Sequence, residues 1–204
     1  MKQQSLPPYT AFADNQEIAS GDLREVARQT KLTMNRNAKA SILIFDNATS
    51  QQVEIDFCGT IKQILSRIPE AQTEEAADTT SAARGPGRPK LGVVSREVSL
   101  LPRHWDWLNT QRGGASVTLR RLVEEAKRAN AATDQTRQAL ESIDRFMRVM
   151  AGNLPGYEEA ARWLYRKDRQ TFEQIIAAWP TDIQKHLQQL ADRITWNAED
   201  DIAK

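Results

Sequence analysis

The chain has 204 residues, 40% hydrophobic and 27% charged, with a net charge of +1. That is the composition of an ordinary soluble chain able to bury a core, and it excludes wholesale disorder. No apolar run approaches the ~20 residues needed to cross a bilayer, and the single cysteine, Cys58, excludes an intrachain disulfide and any multi-cysteine zinc pattern.

Residues 9–68 read as a small α+β unit. Tyr9–Ala13 and Gln16–Ala19 flank Asp14-Asn15, a hairpin signal. Ser20 is placed to cap a helix starting near Gly21-Asp22-Leu23, with Leu23, Val26 and Ala27 on one face. Ser41–Phe45 is nearly all apolar, as in a strand covered on both faces. Val53–Phe57 alternates strictly and predicts a strand with one wet face. Gly59-Thr60 opens a helix carrying Ile61, Ile64, Leu65 and Ile68, stopped by Pro69. Glu70–Arg84 lacks large apolar residues and reads as a linker, continued by the basic arm Arg84-Gly85-Pro86-Gly87-Arg88-Pro89-Lys90.

Val93–Leu101 is a strand candidate ended by Pro102. A helix with Trp105 and Leu108 follows, stopping near Gly113-Gly114. Ser116 is the expected cap of a second helix, with Leu119, Leu122, Val123 and Ala126 in one stripe. The last third reads as all helical. Its stripes are Leu140/Ile143/Met147/Met150, Tyr157/Ala160/Ala161/Leu164, Phe172/Ile175/Ile176/Trp179 and Ile183/Leu187/Leu190/Ile194. The fold class expected is α+β: a small N-terminal domain (1–68), a linker with the basic arm (69–92), a strand-helix-helix centre (93–130) and a helical C-terminal domain (131–204).

Charge is segregated along the chain. Residues 1–83 carry 8 basic and 11 acidic side chains, residues 84–128 carry 10 and 4, and residues 129–204 carry 10 and 12. A basic block between mildly acidic flanks points to a polyanion at the centre. Met1–Ser5 opens onto prolines instead of an apolar stretch, so no export signal is expected and the expected compartment is the cytoplasm.

The stretches Arg96–Pro102, Trp105–Leu108 and Ala115–Ala126 resemble the ribbon-helix-helix fold of small bacterial repressors. The resemblance implies a homodimer whose paired strands enter the major groove, because a lone strand leaves its backbone donors unpaired. It also implies that the second helix offers its N-terminus, with Ser116, to a DNA phosphate. One departure concerns phase. Counting back from Pro102, the family pattern puts Leu101, Ser99 and Glu97 in the core, whereas a shift by one puts Leu100 and Val98 there and exposes Ser95, Glu97 and Ser99. Gly87-Arg88-Pro89, with Arg84 and Lys90, is similar to an AT-hook core but lacks its second arginine. Such an arm lies extended in a narrow A·T minor groove. The DNA-binding candidates are therefore Arg84, Arg88, Lys90, Arg96, Ser99, Ser116, Arg120 and Arg121.

Across most of its length the chain also resembles the bacterial family named domain of unknown function 2239. The resemblance rests on Tyr9–Ala13, Arg88–Val98, Leu101–Leu108 and Leu154–Ala160, and it implies no activity.

No enzyme is expected. His104 and His186 fall in separate helices, and no metalloprotease, nucleophile-elbow, phosphate-loop or dinucleotide pattern is present. Cys58 reads as a small core residue; Asp46, Glu54 and Asp56 could cluster at one end of the N-terminal sheet, but Glu54 and Asp56 alternate with apolar residues and read better as a solvated face. Trp163 and Tyr165, beside Arg162, Arg166, Lys167 and Arg169, could stack on bases or pack in a core. Neither cofactor nor metal is expected. The function expected is DNA binding as a dimer, by a transcriptional regulator or nucleoid-associated factor. The alternatives are a non-enzymatic scaffold protein and, third, an enzyme with an unfamiliar site.

Overall fold

Strand β1 (Tyr9–Ala13) turns at Asp14-Asn15 into β2 (Gln16–Gly21), an antiparallel hairpin with a register shift between Ala11 and Phe12. Asp14 takes the left-handed conformation at φ 51°, which a short polar side chain tolerates at a hairpin tip. Strand β3 (Ile42–Asp46) pairs antiparallel on the other side of β1, giving the order β2-β1-β3. The computed structural model describes residues 6–69, 94 and 96–196.

Helix α1 (Leu23–Arg36) is capped by Asp22, whose carboxylate accepts from the amides of Arg24 and Glu25 at 2.8 and 3.1 Å. Ser20, the expected cap, is instead held in the ladder opposite Thr10. Helix α2 (Ile61–Arg67) opens with a reciprocal capping box between Thr60 and Gln63. Between β3 and α2 the expected strand 53–57 does not form. Val53, Ile55 and Phe57 are half-buried and Glu54 and Asp56 exposed, as alternation predicts, yet pairing with β3 is confined to a single bridge at Phe45 and Gln52. Pairing ends where the Val53 amide donates to the Ile44 carbonyl at 2.8 Å, and carbonyls further along go to side chains. Lys31 takes that of Phe57 at 2.9 Å, and Arg67 takes those of Asp56 and Cys58.

The remaining elements are α3 (Pro102–Thr110), α4 (Gly114–Met150), α5 (Tyr157–Arg166), α6 (Arg169–Ile176) and α7 (Thr181–Ala191). Helix α4 runs 37 residues without a break, joining two stretches that the sequence reading kept apart. Among the described residues none of the helices is long and apolar enough to cross a membrane.

The chain divides into two compact units, Met1–Ala71 with Ala132–Lys204, and Gln72–Ala131. The N- and C-terminal stretches read as separate domains in the sequence thus belong to one body. Period-2 alternation explains how its sheet is used. Leu43 and Phe45 of β3 face a large cluster with Phe12, Phe146, Met147, Leu164, Phe172 and Leu187, while Ile44 faces Val26 of α1 and Ala11. The rings of Phe45 and Phe146 meet edge-on at 5.1 Å. Burying each such ring contributes about 1.5–3 kcal/mol. The loop after β3 is tied down by polar contacts: Ser50 shares a buried 2.7 Å hydrogen bond with Ser142 of α4, Asn47 donates to Thr10 Oγ1 at 2.8 Å, and Arg193 and Arg145 reach its carbonyls.

Candidate nucleic-acid interface

The described residues of the second unit have little core. Among its described residues only Leu108 and Thr118 are buried. Val98, Leu101, Trp105, Trp107, Val117 and Val123 are exposed, Val98 at 58% and Trp107 at 48%. Of the predicted stripe on the second central helix, Leu119 and Leu122 are half-buried, while Val123 and Ala126 face solvent.

Residues 96–101 precede α3 without regular secondary structure, so among the described residues the expected strand 93–101 does not form in the single chain. Leu101 at the N-cap is extended, with no side-chain cap, and Pro102 sits at N1 where its missing amide costs nothing. Gly113 and Gly114, at φ 92° and 75°, make the turn between α3 and α4 in a conformation that disfavours other residues. Because α4 starts at Gly114, Ser116 lies inside its first turn and is not the expected N-cap.

The candidate residues divide accordingly. Arg84, Arg88 and Lys90 lie outside the described residues. Arg96 and Ser99 are exposed on the segment that precedes α3. Ser116, Arg120 and Arg121 come together on the first turns of α4, all exposed. Arg120 Nε donates to the Ser116 carbonyl at 3.1 Å, and Arg121 pairs with Glu125 at 2.8 Å. Residues 96–131 carry 7 basic and 4 acidic side chains. The arginine side chains are long enough to exchange these local contacts for an anion, since exposed pairs of this kind contribute ~0–1 kcal/mol.

Elsewhere, Trp163 packs half-buried against the large core with the Arg166 guanidinium 4.8 Å from its ring centre, so it is structural, whereas Tyr165 is exposed. Cys58 is exposed, contrary to expectation, and a side-chain hydrogen bond with Asp56 pushes its thiol pKa up, which disfavours the nucleophilic thiolate. No group of three or more His, Cys, Asp or Glu among the described residues could hold a metal ion. Sequence reasoning passed over Trp107 as a surface residue. The available signal was its position two residues after Trp105, off the stripe shared by Trp105 and Leu108.

The fold is a mixed α+β chain with a three-stranded antiparallel sheet and a central helical unit rich in exposed arginine and apolar side chains. The chain belongs to the family described as "Uncharacterized protein conserved in bacteria (DUF2239)", which matches residues 8–191. No curated protein and no solved structure matches it.

Proposed function

We propose that the protein binds double-stranded DNA through its central unit, acting as a homodimer in the manner of a transcriptional regulator or nucleoid-associated factor. The observation that carries this reading is the coincidence, on residues 96–131, of exposed arginines with apolar side chains that a single copy leaves in water. One buried leucine among the described residues of this unit contributes too little burial to offset the entropy of ordering them. A second copy supplies the missing cover, and antiparallel pairing of 96–101 across a two-fold axis satisfies the backbone groups of that segment. Arg96, Ser99, Ser116, Arg120 and Arg121 then form the DNA-facing set, extended by Arg84, Arg88 and Lys90 of the basic arm, which precede them in sequence.

The testing experiment is a mobility-shift titration on A·T-rich and G·C-rich duplexes at two salt concentrations. Affinity should fall steeply with salt as counterions are released. Absence of binding to either duplex at the lower salt would overturn the reading. The exposed Val98 and Trp107 also suit a second reading, a non-enzymatic interaction protein whose apolar central surface takes a different protein partner. That reading gains if the protein is monomeric and does not shift DNA.

A further inference from the structure

Helix α5 ends on a lysine in a position where glycine is the usual residue. Asp168 N donates to Trp163 O at 3.2 Å and Lys167 N to Leu164 O at 3.0 Å. These are the paired closing bonds of a Schellman turn, whose pivotal residue adopts a left-handed conformation. That residue is Lys167, at φ 59° and ψ 34°. A Cβ is disfavoured there, so the chain holds local strain in order to keep a lysine.

The lysine side chain has somewhere to go. It lines a cleft of about 380 Å³ between the end of α5 and α4, together with Thr133, Thr136, Arg137, Leu140, Glu141 and Tyr165. Leu140 is buried and Tyr165 is 54% exposed, so the cleft has an apolar floor and an aromatic wall open to solvent. Lys167 is itself half-buried, and its ammonium has no hydrogen-bond or ion-pair partner among the described residues. The other cation, Arg137, already pairs with two carboxylates, Asp134 and Glu141, both at 3.2 Å, which leaves the Lys167 ammonium as the cation free to pair with an incoming anion. Thr136 Oγ1 accepts from the amide of Thr195 at 3.3 Å, which leaves its hydroxyl proton to donate.

We propose that this cleft is a binding site for a small organic monocarboxylate with an aromatic or branched apolar body. The carboxylate pairs with Lys167, and the body lies against Leu140 and the Tyr165 ring. One unpaired ammonium, with Glu141 in the same lining, suits a single negative charge better than a phosphate dianion, which calls for several donors. The site belongs to the sheet-containing unit and stands apart from the nucleic-acid reading, so either can fail without the other.

The test titrates 4-phenylbutyrate and 4-methylpentanoate, and the neutral amide of each, into the full-length protein by calorimetry. At least one acid should bind about tenfold or more tightly than its amide, as a charge-assisted contact predicts. Lys167→Gly should raise the melting temperature by relieving the left-handed strain. It should also erase the preference for the acid while leaving amide binding as it was. Tyr165→Ala should weaken acid and amide alike. Equal binding of acid and amide, an acid preference that survives Lys167→Gly, or no saturable binding of either acid at millimolar concentration would overturn the proposal. So would a fall in melting temperature in Lys167→Gly, which would assign the lysine to stability.

Discussion

Acidification should destabilise the sheet-containing unit through one side chain, His186. Its ring is fully buried, 4.4 Å from the ring of Phe146 and 5.4 Å from that of Phe12, and neither nitrogen has a hydrogen-bond partner among the described residues. Burial alone pulls its pKa down from the ordinary 6.5 to about 4. The unfolded chain therefore takes up the proton as pH falls through 6.5, while the folded chain resists until about 4. The contribution of the neutral ring to stability is fully present above pH 6.5 and is lost progressively down to about pH 4. At ~1.4 kcal/mol per pH unit, the loss between pH 7 and 4.5 comes to roughly 2–3 kcal/mol. Carboxylates held below their usual range, Asp168 among them, add their own acid dependence, so the measurement needs a reference. His186→Leu supplies it, since leucine fills similar space without a titrating group. Urea melts of both proteins followed by circular dichroism at pH 7.0 and 4.5 should show wild type losing ~2–3 kcal/mol more than the variant. Parallel losses in the two proteins would refute the reasoning and show that His186 is hydrated or free to leave the core.

Ser142→Ala should cost ~1–3 kcal/mol in the same melts, because it strands the buried hydroxyl of Ser50. A change below 0.5 kcal/mol, the usual ceiling for a site without such a feature, would mean the hydroxyl finds another partner. Val98→Pro should convert a dimer to a monomer in sedimentation experiments by removing a ladder donor from the pairing segment. A wild-type protein that is already monomeric at micromolar concentration would remove the dimer. Arg120→Ala or Arg121→Ala should weaken binding to all duplexes without changing sequence preference, as loss of a phosphate contact does. Unaltered affinity in both would shift weight to the protein-partner reading.

Local signals carried the sheet and the outer helices. The Asp14-Asn15 turn, the apolar run Ser41–Phe45 and the breaker Pro69 each act within a few residues, and the elements they mark form there. The helix start at Gly59-Thr60 is equally legible. What failed depended on distant groups. The segment 53–57 keeps the expected alternation but meets β3 only at its start, and its later carbonyls are held by Lys31 and Arg67, tertiary contacts that no alternation pattern encodes. Helix α4 was divided because its apolar stripe lapses after Val123 and residues 124–133 are all exposed. A helix without a core face gives no periodicity to read, although the absence of glycine and proline from 115 to 151 was a usable cue. The union of the two chain ends was invisible because Phe12 and Phe146 share no local pattern. At the candidate interface the apolar stripe around Leu122 was legible as a pattern, but whether such a stripe is covered depends on what else is bound. Ser116 was misjudged as a cap because Gly114, two residues earlier, already starts the helix.

A unit assembled from both ends of a chain sets a timetable for its own synthesis. Phe12 and Phe45 leave the ribosome early, but their partners Phe146 and Leu187 are encoded on the far side of the central unit. At ordinary elongation rates of ~5–20 residues per second, that separation amounts to a delay on the order of ten seconds. For that interval the nascent three-stranded sheet has two large aromatic side chains, Phe12 and Phe45, without these partners to cover them. It is then a ready client for a chaperone or a seed for association between neighbouring nascent chains. Residues 1–71 made without the remainder would stay in that condition permanently.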